Sequence, residues 1–117
     1  MRVTSAATVH FCGLATVPGA ARRMVHLLHF PRRACPFSGN PVLGVVRVAY
    51  SPAAITLEVV ALRKYLSKIV KPAPNHPRTV EGVAARIASD AATVLGVPVT
   101  VDLLLLVRPW QILHVQS

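Results

Sequence analysis

The fold of this chain is decided by residues 35–50, which read C-P-F-S-G-N-P-V-L-G-V-V-R-V-A-Y. The first seven letters combine proline and glycine with Cys35, a composition typical of a tight turn. The remainder, from Val42 to Tyr50, is rich in β-branched residues and predicts a strand. A thiol on a rigid turn at the mouth of a strand is held firmly and stays accessible, as a nucleophile must be.

The surroundings of Cys35 also favour reactivity, because Arg32 and Arg33 directly precede the turn and nearby cations stabilise a thiolate. The alternative interpretation is that Cys35 is a small buried hydrophobic residue. The chain has one further cysteine, Cys12, and two cysteines make no disulfide framework. No His/Cys spacing resembles a metal motif, so we expect no metal.

Length and hydropathy indicate a single domain of 117 residues, of which 53% are apolar. No apolar run reaches the roughly 18 residues that a membrane span requires. We therefore expect a soluble, cytoplasmic protein with no membrane partner. The high mean hydropathy predicts that part of the apolar surface is covered by a subunit interface.

The formal net charge is +9, because 13 lysines and arginines face only 4 acidic residues. Such an excess suits a polyanionic partner such as RNA. The competing interpretation is an arginine-rich genomic composition without a specific role. Any general acid or base-recognising carboxylate must come from a short set: Glu58, Glu81, Asp90 and Asp102.

Residues 1–23 differ from the rest of the chain. A charged start, a weak apolar stretch and small residues loosely resemble a signal peptide, but the stretch is interrupted by polar residues and Gly13. We expect instead an extension that is disordered or wrongly assigned, with translation starting at Met24. The domain would then span residues 24–117.

The first half of the domain predicts two antiparallel strands and a helix. Met24 to Phe30 reads as the first strand and Val42 to Tyr50 as the second. Thr56 is the expected N-cap of the helix, with Glu58 in its first turn. The predicted apolar stripe is Val59, Leu62, Leu66 and Ile69. The other side is basic and carries Arg63, Lys64, Lys68 and Lys71.

The second half predicts another helix and two more strands. Thr79 is the expected N-cap of this helix, Glu81 lies in its first turn and Gly96 ends it. Residues 97–107 and 111–116 read as strands. The predicted order is β-β-α-α-β-β, an α+β domain with an antiparallel sheet and two helices on one face.

Three segments together resemble a known family: the turn C-P-F-S-G-N-P, the strand end Tyr50-Ser-Pro52, and the run Glu58-Val-Val-Ala-Leu-Arg-Lys-Tyr-Leu66. They are similar to the 7-cyano-7-deazaguanine (preQ0) reductase family, and the resemblance covers roughly residues 30–117. It implies the tunnelling fold, whose subunits form ring-shaped oligomers with active sites between subunits. A pentameric ring, or two such rings as a decamer, is then expected.

The chain departs from the reductases where they hold NADPH, because Val60 and Ala61 occupy positions of the cofactor motif. Val42 also stands where the family has an aspartate that donates a proton. The archaeal QueF-like enzymes keep the thiol and lack the cofactor motif. They act on preQ0 in tRNA and add ammonia to its nitrile, which gives archaeosine. Resemblance to this branch implies no cofactor.

The resemblance also implies roles for individual residues. Cys35 would form a thioimide with the nitrile carbon, and Glu81 would bind the guanine-like edge of the base, with Ser38 and Glu58 also in contact with substrate. The basic side of the first helix would contact tRNA through Arg63, Lys64, Lys68 and Lys71.

The proton donor is left open by the sequence. His76 is the first candidate because its ordinary pKa lies near neutrality. Glu58 or Asp102 could serve only if burial raised the carboxyl pKa.

Two further functions stay open. The first is an NADPH-dependent preQ0 reductase of the queuosine pathway, in which Arg63, Lys64 and Lys68 replace the missing lysines. The second is a non-catalytic tunnelling-fold protein that binds tRNA or a purine- or pterin-like ligand.

Overall fold

The structure is a computed structural model that describes residues 10–11, 13–19, 21–31, 42–71, 73–107 and 111–117. Cys12, Cys35 and Ser38 therefore lie outside the described residues. The elements are β1 (His10–Phe11), β2 (Leu14–Pro18), β3 (Met24–His29), β4 (Val42–Tyr50), β5 (Ile55–Leu57), α1 (Val59–Ile69), α2 (Val80–Leu95), β6 (Val99–Val107) and β7 (Gln111–Gln116).

A four-stranded antiparallel sheet, in the order β3-β4-β6-β7, is the main layer of the domain. The predicted α+β class, the two helices and these strands are confirmed, and the antiparallel pairing of β3 with β4 is as expected. Assignment to the tunnelling fold and assembly into a ring stay predictions.

The core lies between one face of this sheet and the helices. Strand side chains alternate between two faces, so every second residue of β4 and β6 points to the same side. The buried members are Val46, Val48, Tyr50, Val101, Leu103 and Leu105. The helices contribute apolar stripes that include Leu62, Leu66, Ile69, Val83, Ile87 and Ala91.

A second, smaller sheet in the order β1-β2-β5 was not predicted. Strand β2 pairs with β5, and Leu14 and Thr16 on β2 are 0% and 1% exposed. The backbone N–H of Glu58 also donates to the carbonyl of Ala15 at 2.9 Å. Residues 14–18 therefore belong to the domain, and the predicted disordered extension is wrong for them. Residues 1–9 lie outside the described residues, and the true start codon stays a prediction.

The start of α1 differs from the prediction. Thr56 is buried in β5 and is not the N-cap, because the chain forms one more short strand before the helix begins. Glu58 is the N-cap, and its carboxylate accepts from the N–H of Val60 at 2.9 Å and of Ala61 at 3.0 Å. These bonds hold the pKa of Glu58 below its usual value, and the bond from Val60 has the largest effect.

The predicted apolar stripe of α1 is confirmed at Leu62, Leu66 and Ile69 and is wrong at Val59. Val59 is 62% exposed, whereas Tyr65 is buried beside Leu62 and Leu66. The Tyr65 hydroxyl donates to a carboxylate oxygen of Asp90 on α2 at 2.6 Å, which allows the phenol to be buried without an unpaired polar group.

The ends of α2 agree with the prediction. The Thr79 hydroxyl accepts from the N–H of Gly82 at 3.0 Å and caps the first turn. Gly96 ends the helix in the left-handed region at φ 72°, a conformation that glycine adopts without a steric penalty. Among the described residues, no helix is long and apolar enough to cross a membrane.

Replacing Leu14 by alanine tests whether β2 is part of the folded unit. Leu14 is fully buried, so Leu14→Ala should lower the free energy of unfolding by about 2–5 kcal/mol. The matched control is Val17→Ala on the same strand, where a side chain 37% exposed should cost under about 1 kcal/mol. Urea unfolding of the full chain measures both, and equal small losses would show that β2 does not stabilise the domain.

Candidate substrate groove and basic helix face

A groove of about 680 Å³ runs between β3 and the first turns of α1. Its walls are largely apolar and include Val25, Leu27, Val59, Val60 and Leu62, with Arg63 and Ser67 as the polar lining from α1. Pro31, the last described residue before the segment that carries Cys35, also lines the groove. The groove therefore extends to the place where that segment begins.

His26 also lines the groove and is bonded to the core. It is 7% exposed, and its Nε2 lies 2.8 Å from the hydroxyl oxygen of Tyr50. That oxygen accepts from the N–H of Leu57 at 2.8 Å, which leaves the Tyr50 proton to be donated to His26. With the Tyr50 proton donated in this way, Nε2 carries the lone pair and the neutral ring holds its proton on Nδ1. Burial lowers the pKa of His26.

His76 is oriented by the end of α1. Its Nδ1 lies 2.8 Å from the carbonyl oxygen of Lys71, and a carbonyl can only accept, so Nδ1 carries the proton. In the neutral ring Nε2 is then the basic atom. The loop around His76 is held in place by Arg86, which donates to the carbonyl of Asn75 at 2.9 Å and to Asp90 at 2.9 Å. Asn75 has φ 69°, which asparagine tolerates better than most residues.

The two glutamates at helix starts have different surroundings. Both carboxylate oxygens of Glu58 accept hydrogen bonds from the backbone of α1. Glu81 is exposed in the first turn of α2, and no hydrogen bond or ion pair joins its carboxylate to another residue in the described ranges. Glu81 is thus the carboxylate available to bind a ligand.

His76 and Glu58 are separated by the length of α1. His76 contacts the carbonyl just beyond the end of the helix, whereas Glu58 caps its start. Eleven helical residues rise about 16 Å, so the two side chains do not share one site. His76 and Glu81 instead lie in the loop and first turn at the start of α2.

Asp102 lies on the face of the sheet away from the helices, and both of its carboxylate oxygens accept hydrogen bonds. It accepts from Gln116 at 2.8 Å and from Arg47 at 3.2 Å, and His114 Nε2 lies 3.2 Å from it. These bonds lower the pKa of Asp102, and the bond from Gln116 has the largest effect. The condition for Asp102 or Glu58 to donate a proton, a raised pKa, is therefore not met at either carboxyl.

The basic face of α1 consists of exposed side chains, as predicted: Arg63, Lys64, Lys68 and Lys71. No salt bridge links any of them to a carboxylate within the described part of the chain. Arg78, in the loop before α2, is a further exposed cation that was not predicted from the sequence. Arg63 belongs both to this face and to the groove lining, so the two features are continuous.

Comparison of the chain with protein-family models and with curated proteins finds no match. Among the described residues, no group of three or more His, Cys, Asp and Glu side chains is arranged to hold a metal ion. The candidate functional features of the described residues are therefore the groove, the loop with His76, Glu81 and the basic face.

The buried His26–Tyr50 pair predicts a pH-dependent stability. The pKa of His26 is lowered on folding, so its contribution is complete above the unfolded value of about 6.5 and is lost as pH falls through the folded pKa. His26→Gln keeps an acceptor for the Tyr50 hydroxyl but does not titrate.

Urea unfolding of both proteins between pH 8 and pH 5 measures the effect. The unfolding free energy of the unsubstituted protein should fall more on acidification than that of His26→Gln, with the difference constant above about pH 7.5. Parallel curves across the range would contradict the assignment of a neutral buried His26.

Proposed function

We propose that the protein is a tRNA-modifying enzyme that acts on the nitrile of 7-cyano-7-deazaguanine and adds ammonia to give archaeosine. The observation that carries the proposal is the continuity of the basic α1 face with a groove that reaches the start of the Cys35 segment. An RNA backbone bound on the basic face would bring a base to the groove.

The charge distribution supports RNA as the partner. The basic face offers four cations without salt-bridge partners in the described ranges, and Arg78 adds a fifth nearby. Phosphate contacts of this kind supply affinity without reading sequence. Arg63, at the junction of face and groove, is suited to a phosphate next to the modified nucleotide.

The proposed chemistry needs a thiolate, ammonia and a group that carries a proton. The Cys35 thiolate attacks the nitrile carbon, a C–S bond forms, and the carbon–nitrogen triple bond becomes a double bond whose nitrogen takes a proton. Ammonia then adds to the same carbon and gives up one proton, which replaces the proton that the nitrile nitrogen took. The C–S bond breaks, the thiolate leaves and an amidine remains, so no electrons are exchanged with a redox cofactor.

The proposal takes His76 as the proton carrier from a neighbouring subunit of the expected ring, because within one chain it lies at the other end of α1 from Glu58. The Lys71 carbonyl holds the proton on Nδ1, which leaves the lone pair of Nε2 as the atom that can accept a proton. Glu58 and Asp102 serve this role less well, because hydrogen bonds keep both carboxyl groups ionised. The proposal uses Glu81 to bind the base edge, since a free carboxylate accepts two parallel N–H bonds.

The alternative of an NADPH-dependent reductase is disfavoured at the start of α1. A helix N-terminus binds a phosphate through its free amides. Here the N–H groups of Val60 and Ala61 already donate to the Glu58 carboxylate, which also places a negative charge at that end. A cofactor phosphate would meet an occupied and anionic position.

Covalent capture tests the nucleophile. Incubation with preQ0 or with preQ0-containing tRNA should add one nitrile equivalent to the intact protein by mass spectrometry, through Cys35. Cys35→Ala should abolish the adduct, whereas Cys12→Ala should retain it. An adduct that survives Cys35→Ala would refute the assignment, and RNA binding without any adduct would favour the non-catalytic binding protein.

The salt dependence of binding tests whether RNA binds to the basic face. Lys68→Gln should weaken tRNA binding and reduce the slope of log affinity against log salt by about 0.7–0.9. That change corresponds to one fewer counterion released when tRNA binds. The matched control is Arg47→Gln, which removes one charge from the opposite face of the sheet and should leave the slope unchanged. Fluorescence anisotropy between 50 and 300 mM KCl, roughly the range in which such slopes are measured, provides the values. Equal effects of the two substitutions would show that tRNA responds only to net charge.

A further inference from the structure

The imidazole of His26 has one nitrogen bonded to the core, and its second nitrogen faces the groove. The first, Nε2, lies 2.8 Å from the hydroxyl oxygen of Tyr50. We propose that the Nδ1–H of His26 is a binding group of the groove, which donates a hydrogen bond to the ring carbonyl oxygen of a guanine-like base. The inference deepens the proposed function and rests on it for the identity of the base.

The accessibility of Nδ1 follows from the hydrogen bonds around it. His26 is 7% exposed, and within the described ranges no residue forms a hydrogen bond with Nδ1. In the same part of the chain, no fully buried side-chain nitrogen or oxygen lacks a partner. Nδ1 is therefore in contact with solvent, and the groove is the open space that His26 lines. A polar atom of a nearly buried ring is thus left for a ligand to bind.

The Tyr50 hydroxyl makes this open atom a donor. Tyr50 is 2% exposed, and its oxygen accepts from the N–H of Leu57 at 2.8 Å. The hydroxyl proton is then donated to the other neighbour in the described ranges, which is Nε2 of His26. Burial lowers the pKa of His26 and favours the neutral ring, whose proton lies on Nδ1 when Nε2 accepts. Nδ1 therefore presents one N–H to the groove and cannot accept.

Tyr50 fixes the orientation of the His26 ring as well as its tautomer. The two rings are stacked, with their centroids 5.6 Å apart and their planes 24° apart. Together with the bond to Nε2, this contact leaves the imidazole little freedom to turn. A group that is held in its binding orientation before the ligand arrives loses little conformational entropy when the ligand binds.

The walls of the groove suit the flat ring of a base. Val25 and Leu27 of β3 line one side, and Val59 and Val60 of α1 line the other. These four side chains are between 43% and 67% exposed, so a flat ring bound between them would cover apolar surface that otherwise contacts water. Small-molecule sites have this composition, with apolar walls and a few polar groups that fix the orientation of the ligand.

A single fixed donor selects among bases. The carbonyl oxygen of a guanine-like ring accepts from the Nδ1–H of His26, whereas the amino group of an adenine-like ring would bring two donors together in the same place. Both donors would then lack an acceptor, and burying an unpaired donor costs binding free energy. His26 therefore acts as a specificity residue, in addition to the base-binding role proposed for Glu81.

The binding of two ligands that differ in one atom tests the proposal. The 6-thio analogue of preQ0 keeps every N–H group of the base and replaces the carbonyl oxygen by sulfur, which is a weaker acceptor. Cys35→Ala in the full chain removes the proposed nucleophile, so that calorimetry measures binding without reaction. We expect this variant to bind preQ0 about three- to tenfold more tightly than the thio analogue, the usual net contribution of one hydrogen bond.

Two further substitutions, each combined with Cys35→Ala, identify the donor. His26→Phe removes the N–H group, and the preference for preQ0 should disappear. Arg63→Gln is the matched control, because it removes the guanidinium from the same groove and should leave the preference unchanged. A preference that survives His26→Phe would show that the larger size of sulfur causes it and would overturn the proposal. A preference that is lost only with Arg63→Gln would overturn it as well.

Circular dichroism should show that His26→Phe is folded. If it does not fold, NMR spectra that correlate the ring protons and nitrogens of the unsubstituted protein replace the substitution. At neutral pH they should show a protonated Nδ1 and an unprotonated Nε2 in His26, and preQ0 should shift the Nδ1 signal. The opposite tautomer, or an Nδ1 signal that preQ0 does not shift, would refute the assigned donor.

These results are separable from the test of the proposed function. If the unsubstituted protein forms no covalent adduct but Cys35→Ala prefers preQ0 through His26, the proposed chemistry fails and the binding role of His26 stands. If the adduct forms without any preference for oxygen over sulfur, the proposed function stands and the role of His26 is refuted. Absence of binding of both ligands to Cys35→Ala refutes that role too.

Discussion

The antiparallel pairing of β4 with β6 is the constraint on which the rest of this structure depends. It runs unbroken over nine residue pairs, from Val42 opposite Val107 to Tyr50 opposite Val99. Because side chains alternate across a strand, this one register decides which residues face the helices and which lie on the opposite face of the sheet. A shift of β6 by one residue would expose Leu103 and turn Asp102 away from Arg47.

Tyr50, at the end of that pairing, connects the sheet to the functional elements. Its hydroxyl joins His26 of β3 to the backbone of β5, and β5 leads directly into the Glu58 cap of α1. The groove between β3 and α1 is therefore built on one buried hydrogen-bonded chain. At the other end of α1, the Lys71 carbonyl orients His76, so α1 positions both the groove wall and the candidate proton carrier.

The two faces of the four-stranded sheet differ in chemical character. The helix side carries the cations of the basic face, which form no salt bridge within the described part of the chain, and Arg63 joins them to the groove. The opposite face carries exposed apolar side chains such as Leu43, Leu104 and Ile112, and the Arg47–Asp102 ion pair. Electrostatic attraction of a polyanion is therefore directed to the helix side.

The sequence by itself determined the strands β3, β4, β6 and β7, the two helices, the Thr79 cap, the Gly96 stop and the exposed basic face. All of these follow from patterns within a few residues, and local propensity acts over that range. Only the tertiary structure decided that β2 joins the domain, that Thr56 lies in a strand and that Glu58 is a cap. It also decided that the Asp102 carboxylate is hydrogen-bonded on both oxygens. It decided as well that His26 lines a groove and that Tyr50 holds His26 in place. Each of these depends on a partner distant in sequence, and burial against such a partner outweighs local preference.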